Sequence, residues 1–250
     1  NSLLFFCFFI GSSLTFFLKA QTAKQIKEIR SQYDLGVLLQ LQNEYYQKAA
    51  SEKERIKELA EKLNVPLIIE ENGTYRELQK ILPDGSLIYY TTFNVDAARS
   101  TRTNHLNAGG SLGLNLMGQN MTAHIWDGGL ARTTHQEYDG AGGTNRFSIG
   151  DGTTGLHYHS AHVTGTIIAS GVSANAKGMA PYARAVGYEW NNDLSEATNA
   201  AANGMLISNH SYGYDSSTVP DYYFGAYITE SRDWDNLLFN APYYLMVVAA

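Results

Sequence analysis

Thr122-Ala123-His124-Ile125-Trp126-Asp127-Gly128-Gly129 is the stretch on which the fold turns. An apolar run too short for a helix ends in a carboxylate, and two glycines follow. Such a run reads as a buried strand, and the glycines let the chain turn away and leave the acid open at the strand's carboxyl end. In open parallel sheets that end is where ligands bind. A second stretch completes the thought: His157-Tyr158-His159-Ser160-Ala161-His162-Val163-Thr164-Gly165-Thr166. Here an imidazole stands at the mouth of a helix built from small residues (Ala161, Thr164, Gly165), which can lie close on a sheet. Asp127 then holds His159 in one tautomer and stabilises its cation, two of the three parts of a nucleophilic serine apparatus.

Outward from these stretches the alternation continues. Ala183 to Val186, Met205 to Ile207 and Tyr244 to Val248 read as buried strands, and segments 160–170, 194–203 and 226–240 as helices between them. Strands alternating with helices predict a mainly parallel sheet covered on both faces, an α/β three-layer sandwich over residues 101–250.

Residues 21–100 have a different texture. Ile56, Leu59, Ala60 and Leu63 fall at i, i+3, i+4 and i+7, one apolar face of a helix over residues 50–63, and Asn64-Val65-Pro66 ends it. Short strands follow at Leu67 to Glu70, Tyr75 to Gln79 and Ser86 to Phe93, separated by the hairpin dipeptides Asn72-Gly73 and Asp84-Gly85. The reading is a small helix-plus-hairpins region, joined to the rest through the polar stretch Asp96 to Asn107. Its position suggests a pro-segment or folding aid, and a structural appendage is the plainer alternative.

Leu3 to Leu18 are almost wholly apolar, with Ala20 as a cleavage point. Residues 1–20 read as a secretory signal, since the run is shorter than the roughly 20 residues that span a bilayer. This predicts a secreted protein without stable membrane association. A net charge of −6 argues against nucleic-acid binding, which needs basic patches. The one cysteine, Cys7, excludes an intramolecular disulfide.

Five ordered segments resemble the subtilisin-like serine proteases, whose chain order is Asp, His, Ser. Ile125-Trp126-Asp127-Gly128-Gly129 is similar to that family's Asp box and His159-Ser160-Ala161-His162-Val163-Thr164-Gly165-Thr166-Ile167 to its His box, with Ser160-Ala161 in place of Gly-Thr. Gly178-Met179-Ala180-Pro181-Tyr182-Ala183 resembles a turn into the next strand. Ile207-Ser208-Asn209-His210-Ser211-Tyr212-Gly213 resembles the substrate-pairing strand, and Leu245 to Ala250 the strand that leads to the oxyanion turn. The resemblance implies a secreted endopeptidase acting on protein or peptide substrates. It makes Asp127 and His159 catalytic and Ser211, Tyr212 and Gly213 substrate-binding, with the nucleophilic serine and oxyanion asparagine expected beyond Ala250. It implies no required cofactor. Asp151, Asp193 and Asp215 are candidates for structural calcium, as several members bind it, but no loop of alternating carboxylates concentrates them.

Other readings stay open. His157, His159 and His162 have the spacing of a zinc hydrolase box, although Ala161 stands where that box has Asp. Gly109-Gly110-Ser111-Leu112-Gly113 satisfies G-x-S-x-G, but a polar stretch precedes it where a strand is required. A catalytically inactive binding module of the same fold is the third. His124 and His210, in apolar strands, read as core imidazoles, with His210 near a specificity pocket as the sharper possibility.

Overall fold

The structure is a computed structural model that describes residues 22–71, 74–92, 106–109, 111–140, 143–173 and 176–249. Residues 1–20, read above as a signal, the dipeptide Asn72-Gly73, Gly110, Ala250 and most of the stretch Asp96 to Asn107 lie outside them.

Five strands form the parallel sheet: β4 (Thr122–Asp127), β5 (Phe147–Ile149), β6 (Arg184–Glu189), β7 (Ile207–His210) and β9 (Leu245–Val248), in the order β5-β6-β4-β7-β9. Neighbouring residues of β4 point to opposite faces, and each face has its own core. Ile125 packs with Phe147, Ala185 and the helix α3 (Tyr158–Ile168) through Val163 and Ile168. Trp126 packs with Ala197 and Ala201 of α4 (Asp193–Ala202) and Leu237 of α5 (Thr229–Asn240). Helices therefore cover both faces, as the alternating pattern predicts. The strand Phe147–Ile149 had no counterpart in the sequence reading. It is three residues long and carries a serine at its centre, so neither length nor alternation marks it.

In the N-terminal region, α1 (Ala23–Arg30) is closed by a capping box between Thr22 and Gln25. The helix α2 (Leu35–Leu63) is far longer than the 50–63 segment that periodicity reveals. Asp34 starts it by accepting the Val37 N–H at 3.0 Å, and Asn64 ends it in the left-handed conformation, φ 53°. Ile56 and Ala60 bury against Leu78, Ile81 and Tyr89 of the strands β2 (Thr74–Ile81) and β3 (Leu87–Thr92). With β1 (Ile68–Glu71) these make an antiparallel sheet of order β1-β2-β3-β8, whose last member, β8 (Tyr212–Tyr214), belongs to the other half of the chain.

The two halves also share a core. Tyr33 and Leu38 are buried in the same cluster as Trp126, Trp190 and Tyr212. The N-terminal region is thus packed into the α/β layer rather than appended to it. No helix among the described residues is long and apolar enough to cross a membrane.

Candidate active site

Asp127 is the last residue of β4, and His159 lies in the first turn of α3. The small residues of α3 let it sit close on the sheet, and the two side chains meet. His159 Nδ1 is 2.8 Å from Asp127 Oδ2 and 3.0 Å from Oδ1. Both groups are buried, Asp127 at 0% and His159 at 2% exposure, so the pair is shielded from screening by water. The Gly128 N–H donates to Asp127 Oδ1 at 2.7 Å and fixes the carboxylate.

The turn after β4 holds the helix in place. Ser160 Oγ donates to the Gly129 carbonyl at 2.7 Å, the Leu130 N–H to the Gly155 carbonyl and the His157 N–H to the Leu130 carbonyl. Gly129 has φ 153°, and a Cβ there would lie 2.8 Å from that of His157, so only glycine fits. The turn at Gly178 is equally close. Its N–H donates to the Ala169 carbonyl, and a Cβ would come within 2.5 Å of the Ala169 nitrogen.

An Nδ1–H that donates to a carboxylate puts the lone pair of a neutral imidazole on Nε2. That atom can then take a proton, and the carboxylate stabilises the resulting cation. The same geometry bears on the zinc reading. Nδ1 of His159 is given to Asp127, and Nδ1 of His157 accepts the His159 N–H at 3.3 Å. Among the described residues no group of three or more His, Cys, Asp or Glu side chains is placed to hold a metal ion. The three candidate calcium ligands make no common site. Asp151 accepts from the Glu189 and Thr153 N–H groups, Asp193 from the Leu194 N–H and the Tyr212 hydroxyl, and Asp215 from Ser217 and Arg76.

Ser211, Tyr212 and Gly213 follow directly on β7. Ser211 Oγ accepts from Asn209 Nδ2 at 2.8 Å. The backbones of Tyr212, Gly213 and Tyr214 pair antiparallel with Thr92, Thr91 and Tyr90. The edge expected to meet a substrate strand is therefore paired with the protein's own β3. The Tyr90 ring enters a box of aromatic rings, with centroids 5.4 Å from Trp190, 4.9 Å from Tyr212 and 5.5 Å from Tyr214. Glu77 of β2 accepts from Trp190 Nε1 and, at 3.0 Å, from Asn191 Nδ2.

Sequence reasoning missed Tyr90, Trp190 and Glu77, because their roles depend on docking between halves of the chain that no local pattern encodes. His210 is buried with both ring nitrogens occupied, by Tyr212 Oη at 2.8 Å and Ser208 Oγ at 2.9 Å. That is the core-imidazole reading rather than the pocket-lining one. Burial lowers its pKa to about 3 and that of His124 to about 4.

No protein-family model, curated protein or solved structure matches this chain.

Proposed function

We propose that this chain carries the general base and its orienting acid in a secreted serine endopeptidase with a subtilisin-like sandwich fold. The observation that supports this most is the buried Asp127–His159 pair at 2.8 Å, with the acid at the end of a central parallel strand. In the reaction a serine Oγ, expected beyond Ala250, attacks the scissile carbonyl and passes its proton to His159 Nε2. His159 returns that proton to the leaving amine, and water then hydrolyses the acyl-enzyme by the same route. Asp127 keeps Nδ1–H in place throughout and offsets the charge of the imidazolium.

On this reading Ser211, Tyr212 and Gly213 grip the substrate backbone by strand addition. The N-terminal region then acts as a pro-segment, with β3 lying where the substrate strand would run and Tyr90 filling a box suited to an aromatic side chain.

The experiment is labelling with a fluorophosphonate probe. The intact protein should label at one serine, and His159→Ala should lose the label. The 250-residue chain alone should not react. Labelling of Ser111, or of the intact protein regardless of His159, would overturn the assignment.

A further inference from the structure

A second network of buried groups lies beside the pair, and the proposed chemistry does not use it. Tyr212 Oη donates to Asp193 Oδ2 at 2.7 Å. Tyr212 Oη is also 2.8 Å from His210 Nδ1, His210 Nε2 is 2.9 Å from Ser208 Oγ, and Ser208 Oγ is 2.6 Å from Tyr244 Oη. Tyr212, His210, Ser208 and Tyr244 are all buried.

Counting protons orders the chain completely. Burial raises the Asp193 pKa to about 6, so above that pH the acid is ionised; Tyr212 gives it its one hydroxyl proton, and its oxygen must then accept from His210 Nδ1–H. Burial keeps His210 neutral, so its only ring proton is on Nδ1 and Nε2 accepts from Ser208. Ser208 has then spent its proton and must accept from Tyr244. Every donor points toward Asp193. Such ordered chains are worth more than their separate bonds, and a buried member left unpaired is costly.

The placement of this relay suggests its purpose. Asp193 opens α4, Tyr212 begins β8, Ser208 and His210 lie on β7, and Tyr244 immediately precedes β9. Tyr212 is the one member whose backbone stands in the strand ladder with β3.

We propose that Tyr212 is a positioning residue for the substrate: its hydroxyl, clamped between Asp193 and His210, sets the bend from β7 into β8 so that the backbone of residues 211–213 presents its hydrogen-bonding edge. This rests on the peptidase reading of β8. The clamp acts only on substrates long enough to lie along that strand.

Two measurements on Tyr212→Phe test it. In ¹⁵N NMR of the 250-residue chain, the His210 ring should carry its proton on Nδ1 in the wild type. It should move to Nε2 in the variant, where Nδ1 has lost its acceptor and Ser208 can accept. In the enzyme once β3 has been released from this edge, KM for an extended hexapeptide should rise about tenfold, with kcat within about twofold, and the loss should be larger for it than for a small nitrophenyl ester, which does not reach β8. A merely structural defect would lower both substrates together and leave the tautomer in place. Ser208→Ala is the control, since it cuts the relay beyond the clamp and should leave the hexapeptide KM near the wild-type value.

An unmoved tautomer overturns the relay. A moved tautomer with equal effects on both substrates, or an equal rise in KM from Ser208→Ala, overturns the positioning role alone. Wild-type enzyme that turns over neither substrate removes the peptidase reading, and the positioning role with it, while the tautomer result still reports on the relay.

Discussion

Two buried imidazoles sit at the carboxyl end of one sheet, and each has its Nδ1 held at 2.8 Å. His159 is held by the carboxylate of Asp127 and His210 by the hydroxyl of Tyr212. Burial alone makes a charged ring unfavourable, and at His210, whose ring nitrogens meet the neutral hydroxyls of Tyr212 and Ser208, the pKa falls to about 3. At His159 an acid in direct contact supplies the compensating charge. Burial is common to both, so on the proposed reading it is the partner that suits His159 to take a proton and leaves His210 as architecture.

The largest effect expected from this contrast is catalytic. On the proposed peptidase reading, Asp127→Asn should lower turnover of the intact protein by about 10⁴-fold, the size of loss that this change brings in a serine-protease triad. Circular dichroism should show the fold unchanged. Wild-type turnover in that variant, or a comparable loss from removing the His210 ring, would end the distinction between the two.

The second effect is on stability. His210→Ala should destabilise the protein by roughly 2–4 kcal/mol, measured by urea unfolding, because Ser208 and Tyr212 lose a buried partner and a void opens. The ring also stacks on Trp126 at 5.2 Å and meets the edge of Trp234 at 5.3 Å. A cost below about 0.5 kcal/mol would mean that the relay is not a structural element at all.

The contrast also marks what the sequence can disclose. Asp127 was legible because a strand that ends in Asp-Gly-Gly is a local signal, and His159 because the small residues after it spell a close-packed helix. The alternation of strands and helices likewise gave the parallel sheet. The partner of His210 was not legible as such. Tyr212 was singled out for its backbone, and nothing in Ser211-Tyr212-Gly213 says that the hydroxyl turns back to a carboxylate nineteen positions earlier. The pairing of β3 with β8 was hidden for the same reason. Edge strands carry no code for their partner, and Thr91-Thr92 would suit many edges. The length of α2 was concealed by its middle, where Gln, Asn and Glu blur the apolar face.

A third acid at this end of the sheet separates burial from charge by another route. Glu189 is the register partner of Asp127 on β6. Among the described residues its hydrogen bonds come from Asn191, and the cation acting on it, Lys53, makes no hydrogen bond to it. Burial, followed by the nearby Glu77, raises its pKa to about 7 from an ordinary 4.5. A raised carboxyl pKa means that the folded state binds the proton more tightly than the unfolded one. Its contribution to stability is complete below the unfolded value and is lost as pH rises from about 4.5 through 7. Glu189→Gln should therefore match the wild type near pH 4 and exceed it by on the order of 1–3 kcal/mol at pH 8. Thermal melts at the two pH values check this, and a variant less stable than wild type at pH 8 would mean that the charge is compensated.

The smallest effect comes from an acid that has a cationic partner but lacks full burial. Arg76 of β2 meets Asp215, just past β8, at 3.0 Å, with their side chains 23% and 14% exposed. Asp215 also accepts from the Ser217 N–H at 3.0 Å and the Ser217 hydroxyl at 2.7 Å. Removing the guanidinium therefore does not leave a bare buried carboxylate, and water reaches both groups. Arg76→Gln should cost only about 0.5–1 kcal/mol at low salt. The cost should shrink further at 1 M salt, where the screening length falls to about 3 Å. A loss above about 2 kcal/mol that persists in high salt would show that partial exposure does not weaken an ion pair here, and burial would no longer separate this pair from the Asp127–His159 contact.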